Sequence, residues 1–121
     1  MTPPDTMHTI DPAQARQEYT RLLGDGEQLH AAHRLLHDTI LFTDLRLILI
    51  YATGVTGRKS EYHSIPYRSV SHFCVMARNP FDSDATLHIW TASFTEPTKS
   101  TFAEGVDVYE VQALLARFVS R

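Results

Sequence analysis

The stretch from Thr39 to Tyr67, TILFTDLRLILIYATGVTGRKSEYHSIPY, constrains this chain more than any other. Thr39 to Ala52 is rich in Ile, Leu, Thr, Phe and Tyr and is broken only at Asp44, a composition that suits a pleated, half-buried surface. Two short strands meeting near Asp44 are expected. Thr53-Gly54-Val55-Thr56-Gly57 follows as a turn cluster whose glycines tolerate positive φ. Arg58 to Ile65 then resumes alternation, with Lys59, Glu61 and His63 set against Ser60, Tyr62 and Ser64. The pattern is a hairpin connection with a polar outer face. Pro66 has no N–H for a ladder and fixes φ, so the strand should end before Tyr67 and a new run, SVSHFCVMA, should start at Ser69. The stretch holds no nucleophile with a base at a fixed offset, no glycine-rich phosphate cradle and no metal-ligand spacing. It specifies a fold more clearly than a reaction.

At 121 residues the chain is long enough for one core and too short for two. Its net charge of -3, with both signs scattered, gives no electrostatic ground for binding nucleic acid or an anionic membrane. The lone Cys74 excludes an intramolecular disulfide and fits a reducing compartment. The start, MTPPDTMHTID, lacks the basic residues and apolar run of a signal peptide, and no apolar segment approaches a membrane span. A cytoplasmic location is the expectation.

Met1 to Ile10, with Pro3 and Pro4, reads as a mobile tail. Residues 11–24 read as an N-terminal helix: Asp11 as cap, Pro12 at the first position, Gln14 completing a capping box, and apolar Ala15, Tyr19, Leu22 and Leu23 at helical spacing. Gly24-Asp25-Gly26 stops it. Glu27 to His37 is ambiguous between helix and strand on composition alone. Val70 to Ala77 alternates, Val70, His72, Cys74 and Met76 against Ser71, Phe73, Val75 and Ala77, and Ala85 to Thr91 alternates again. A last short strand is expected over Ser100 to Ala103 after a turn at Glu96-Pro97. Asp107 with Glu110 then forms a capping box, and Val108, Val111, Leu115, Phe118 and Val119 mark the apolar face of a C-terminal helix.

The string ILFTDLRLILI, followed by GVTGRKSEYHSIPYRSVSHFCV and FDSDATLHIW, resembles the bacterial PH-like domain family, small pleckstrin-homology-like proteins formerly classed as a domain of unknown function. The resemblance runs from about Glu27 to Phe118, and it makes Glu27 to His37 the first strand. It implies a mainly β fold (α+β), a PH-like barrel of two nearly orthogonal antiparallel sheets with about seven strands, capped by the C-terminal helix. The N-terminal helix is additional, and residues 27–121 form the PH-like domain. It further implies symmetric ring homo-oligomers, with a pentamer the first expectation, and no established enzyme activity or cofactor.

His30, His33 and His37 would share a side only on a helix; on a strand His30 faces away from the other two, which then stand roughly 13 Å apart. A zinc site does not assemble. His72 and Cys74 share a strand face, yet a reactive thiolate also needs an electropositive pocket and a group to orient the base, so Cys74 reads as a small buried hydrophobe. Asp82 and Asp84 lack the further oxygen ligands of a calcium loop and read as a polar turn. Eukaryotic PH domains hold inositol phosphates with Lys and Arg beside the first loop; here that loop is His37-Asp38 with Arg34 nearby, which disfavours phosphoinositide. Arg46, Arg58, Lys59 and Arg68 read as solvated charges.

The expected role is a non-enzymatic binding or scaffolding module with a protein or peptide partner and no nucleic acid. The resemblance places a candidate peptide groove at the edge strand Val70 to Ala77 and the C-terminal helix, lined by Phe73, Val75 and Val111. Tyr62, Tyr67 and Trp90 carry amphipathic rings suited to a subunit interface. The alternative is a ligand-binding or enzymatic domain with a pocket between subunits, using His72 and Cys74; a third reading is weak membrane-surface binding.

Overall fold

Alternating apolar residues build two antiparallel sheets, and the computed structural model describes them over residues 8–35, 38–53, 59–77, 85–92, 95–102 and 106–120. The chain divides into two compact units, Met1–Ile65 and Pro66–Arg121.

The first unit holds a five-stranded sheet in the order β1 (His8–Ile10), β2 (Leu29–Arg34), β3 (Asp38–Thr43), β4 (Arg46–Thr53) and β5 (Lys59–Pro66). The ambiguous segment is therefore a strand, and β3 and β4 meet around Asp44 as expected. Period-two alternation sorts their side chains onto two faces. On one face the register lines up Ile10, Ala32, Leu41 and Ile48 across four strands; on the other it lines up Thr9, His33, Ile40 and Leu49. Both faces are buried at these positions, apart from Thr9.

The helix α1 spans Pro12–Glu18, with the Asp11 carboxylate accepting from the Gln14 N–H. Its Ala15 is wholly buried and packs with Ile10, Ala32, Leu41 and Ile48, with Tyr19, Leu23, Leu29 and Ile50 around them. Arg34 on β2 ties the helix down, its Nη2 donating to Glu18 Oε1 at 3.1 Å and to the Tyr19 hydroxyl at 3.2 Å. Two expectations change here. The helix ends at Glu18 and not at residue 24: beyond Tyr19 the chain tightens into turns, the Leu22 and Leu23 N–H groups donating to the Tyr19 and Thr20 carbonyls, and the Leu22 carbonyl accepts from Arg46 Nη2 at 2.7 Å. Residues 8–10, expected as tail, form β1, since their partners on β2 lie more than twenty residues away and leave no trace in local composition.

The second unit opens with a 3-10 turn at Tyr67–Ser69, directly after Pro66 where the strand was expected to end, and holds a three-stranded sheet in the order β6 (Val70–Ala77), β7 (Ala85–Thr91) and β8 (Thr98–Phe102). β8 starts two residues before the expected strand. Val70 pairs with Thr91 but His72 pairs with Trp90, so Ser71 is an extra, bulged residue. The bulge returns Val70 to the face of Phe73 and Val75 rather than that of His72, which corrects the simple alternation. Leu87, Ile89, Ser100 and Phe102 bury the same face.

Helix α2 spans Val108–Val119, and the Asp107 carboxylate accepts from the N–H groups of Tyr109 and Glu110. Val111, Leu115 and Phe118 are buried, and the Phe118 ring stacks on Tyr67 with centroids 5.1 Å apart.

Candidate functional site

Side chains that could meet a partner come from three places: the edge of β6 beside α2, the outward face of the three-stranded sheet, and β5. β6 is the outer strand of its sheet, hydrogen-bonded to β7 on one side only among the described residues. α2 lies against β6 and against the Tyr67–Ser69 turn. Phe73 and Val75 are half-buried opposite Ile89 and Leu87, so each keeps some accessible surface next to the open edge. Val111, by contrast, is a core residue, 2% exposed, and supports the helix from beneath instead of lining a groove.

The outward face of this sheet carries a row the sequence reading saw only in part. His72 stands opposite Trp90 with ring centroids 4.7 Å apart, and Cys74 stands opposite His88, whose ring lies 6.0 Å from that of Trp90. His72 and Cys74 thus share a face, as alternation predicts, but the imidazole directly across from the thiol is His88. Alternation within Ala85 to Thr91 puts His88 and Trp90 on one face; only the strand register shows that this is the face of Cys74. Beyond His88 the register brings Lys99, so among the described residues no carboxylate stands across from His72 or His88 in this row. Trp90 is half-buried on this face and stays available to a partner.

Among the three rings expected at a subunit interface, Tyr67 is corrected to a core position, because stacking on Phe118 buries it. Tyr62 on β5 is 54% exposed.

The strongest electrostatic feature is structural. Glu27 is buried, and Arg46 Nε and Nη2 each donate to its carboxylate at 2.9 Å; the Thr43 hydroxyl and the Gly24 N–H complete the shell at 2.7 and 2.9 Å. Gly26, at φ 77, supplies the left-handed turn that brings Glu27 there. The Arg46 guanidinium holds the Glu27 carboxyl down at about 2. Arg46 is therefore committed and does not join Lys59 and Arg68 in a basic patch, while Arg58 lies outside the described residues.

His33 is buried with its ring edge-on to Phe42 and its Nδ1 3.2 Å from the Thr9 hydroxyl; desolvation lowers its pKa to about 4. His30, three residues earlier at the register shift between Leu29 and Ala31, is exposed, and His37 lies outside the described residues. Among the described residues no three metal-ligating side chains converge. Asp82 and Asp84 also lie outside them. No helix among them is long and apolar enough to cross a membrane.

Comparison with known proteins agrees with this architecture. Residues 5–119 match the model of the family described as Bacterial PH domain. The chain is 40% identical over 109 residues to the uncharacterized protein YjqA of Bacillus subtilis, covering 89% of this chain and 87% of that protein. The crystal structure of a DUF1696-family protein with a pleckstrin-homology domain from Shewanella loihica superposes with a TM-score of 0.83 at 38% identity, over 94% of this chain and 97% of the other. The pleckstrin homology domain from Shewanella amazonensis gives a TM-score of 0.74 at 40% identity, over 91% and 89%. The two antiparallel sheets, of five and three strands among the described residues where about seven strands in all were expected, and the C-terminal helix are thus those of a pleckstrin-homology fold, and β1 and α1 lie within the family match. The chain belongs to the bacterial PH domain family.

Proposed function

We propose that this chain is a non-enzymatic, cytoplasmic binding or scaffolding module that self-associates into a ring, with five chains expected, and takes an extended peptide of a protein partner along β6. The observation that carries the peptide reading is the position of β6, an outer strand with α2 beside it and with Phe73 and Val75 half-buried next to the edge. A peptide added there gains main-chain hydrogen bonds from the strand, while alternate side chains meet those two residues. The ring reading is supported by family resemblance, and the non-enzymatic reading by the pairing of His72 with Trp90 and of His88 with Cys74 and Lys99, which among the described residues sets no carboxylate across from either imidazole.

Light scattering over a range of concentration and salt tests the ring: a constant mass near five chains supports it and a monomer removes it. Selection of peptides from a displayed library, followed by amide-shift mapping, tests the groove. Shifts concentrated at 72–76 and the first turns of α2 support it; shifts elsewhere sink it.

A second reading, a ligand-binding or enzymatic pocket between subunits, draws on the cross-strand pair of Cys74 and His88. Rapid thiol labelling of the native protein at neutral pH would favour it, and protection until denaturation would leave it without a nucleophile.

A further inference from the structure

The strand β5 ends the five-stranded sheet, so one of its edges has no neighbouring strand among the described residues. Lys59 through Ser64 are exposed on both faces, and only Ile65 is half-buried. Lys59 to Ile65 contains no proline, so every outward N–H of the strand up to Ile65 is available to a ladder. An edge of this length and exposure is a template for another strand.

We infer that the strand joining this edge is β5 of a second copy, antiparallel, about a two-fold axis at Tyr62. β5 is self-complementary when its sequence is set against its own reversal. Ser60-Glu61-Tyr62-His63-Ser64 is symmetric about Tyr62 in size and polarity and complementary in charge. Antiparallel pairing centred on Tyr62 sets Tyr62 against Tyr62 of the second copy and Ser60 against its Ser64. Glu61 then faces His63 of the second copy, and His63 faces its Glu61. Opposite charges or a carboxylate and an imidazole N–H directly across a ladder are favourable cross-strand pairs, as are two aromatic rings.

Other registers lose this match. Centring on Glu61 opposes two acids, and centring on His63 opposes two imidazoles. Centring between Tyr62 and His63 leaves Glu61 facing a serine. Centring on Ser60 pairs Lys59 with Glu61 but overlaps β5 over only three residues, against seven for the Tyr62 register. Within one chain the His63 ring lies edge-on to Tyr51 at 5.3 Å and its Nε2 stands 3.2 Å from Glu61 on the same face, so acid and imidazole are side by side on the strand and the two-fold pairing sets each against its complement in the second copy. A contact of this kind is isologous, so it closes after two copies and differs from the head-to-tail contact of a ring. It rests on the proposed self-association only in taking a second copy as occupant: alone it gives a dimer, and with five-chain rings it joins two of them.

Light scattering on the full chain, on Glu61→Arg, on His63→Glu and on an equimolar mixture of the two variants tests the inference. Both positions are exposed, so the variants keep the fold. The wild type should show an even mass, two chains or ten. Each variant alone should halve it, with at least about tenfold weaker association, because Glu61→Arg takes away the carboxylate that each imidazole faces and His63→Glu opposes two carboxylates, at both pairs. The mixture should restore the wild-type mass, since acid again faces base at both positions. A wild-type monomer, or a mass that neither variant changes, would overturn the β5 contact. The two ideas separate cleanly: a five-chain mass untouched by the variants keeps the ring and loses this contact, while a dimer halved by them keeps this contact and loses the ring.

Discussion

Glu27 and Arg46 meet through two parallel hydrogen bonds of 2.9 Å, and the Glu27 side chain that receives them is 1% exposed. The pair fastens the loop after α1 to the hairpin of β3 and β4, because Arg46 also holds the Leu22 carbonyl and Glu27 also receives the Thr43 hydroxyl. Removing one partner strands a buried charge, so Arg46→Ala should cost about 3–5 kcal/mol. Arg46→Ala combined with Glu27→Gln should cost less than the sum of the two single changes. Urea titration of the four proteins in this cycle checks both statements.

The same pair sets an acid window. The folded carboxyl sits at about 2 against an unfolded value near 4.5, so the unfolded chain takes up the proton first as pH falls. The stabilisation, on the order of 3 kcal/mol, is complete above pH 4.5 and is lost as pH drops toward 2. Unfolding free energies measured along this range should lose most of that slope in Glu27→Gln.

His33 opens a second window at higher pH. Burial lowers its folded value to about 4 from an ordinary 6.5, so the unfolded state again binds the proton first. Stability present above 6.5 should fall by roughly 3 kcal/mol as pH goes down to 4 and then level off. His33→Gln, which keeps a partner for Thr9 without the titration, should flatten this segment and leave the Glu27 segment in place.

The Tyr67–Phe118 stack anchors α2, so Phe118→Ala should destabilise by about 3–5 kcal/mol. A charge at Leu115, wholly buried on the same helix, should unfold the protein. Circular dichroism melts of Phe118→Ala and Leu115→Lys read both effects.

At the N-terminus of α2, Asp107→Ala leaves the Tyr109 and Glu110 N–H groups without their cap and should cost about 1 kcal/mol. Asp107→Asn should retain most of the stability, as equilibrium denaturation would show.

Much of this fold is written locally. Alternation over Ala85 to Thr91 marks β7 to the residue, Pro66 ends β5, and Asp107 with Val111, Leu115 and Phe118 defines the cap and buried stripe of α2. Each signal lies within one turn or one strand, where side-chain period and backbone donors act directly. The candidate site was less legible. Phe73 and Val75 follow from alternation, but burial of Tyr67 and Val111 depends on rings and helices that meet them from elsewhere in the chain.

Periodicity, caps and proline act over a few residues, so the amino-acid pattern alone marks β3, β4, β6, β7 and α2, the polar character of β5 and the resemblance to the family. Long-range packing makes residues 8–10 a strand, ends α1 at Glu18, turns Val70 inward through the bulge at Ser71 and brings Glu27 to Arg46. Those outcomes depend on partners some twenty residues away, whose pairing is chosen by register and by the need to satisfy buried charge and backbone groups.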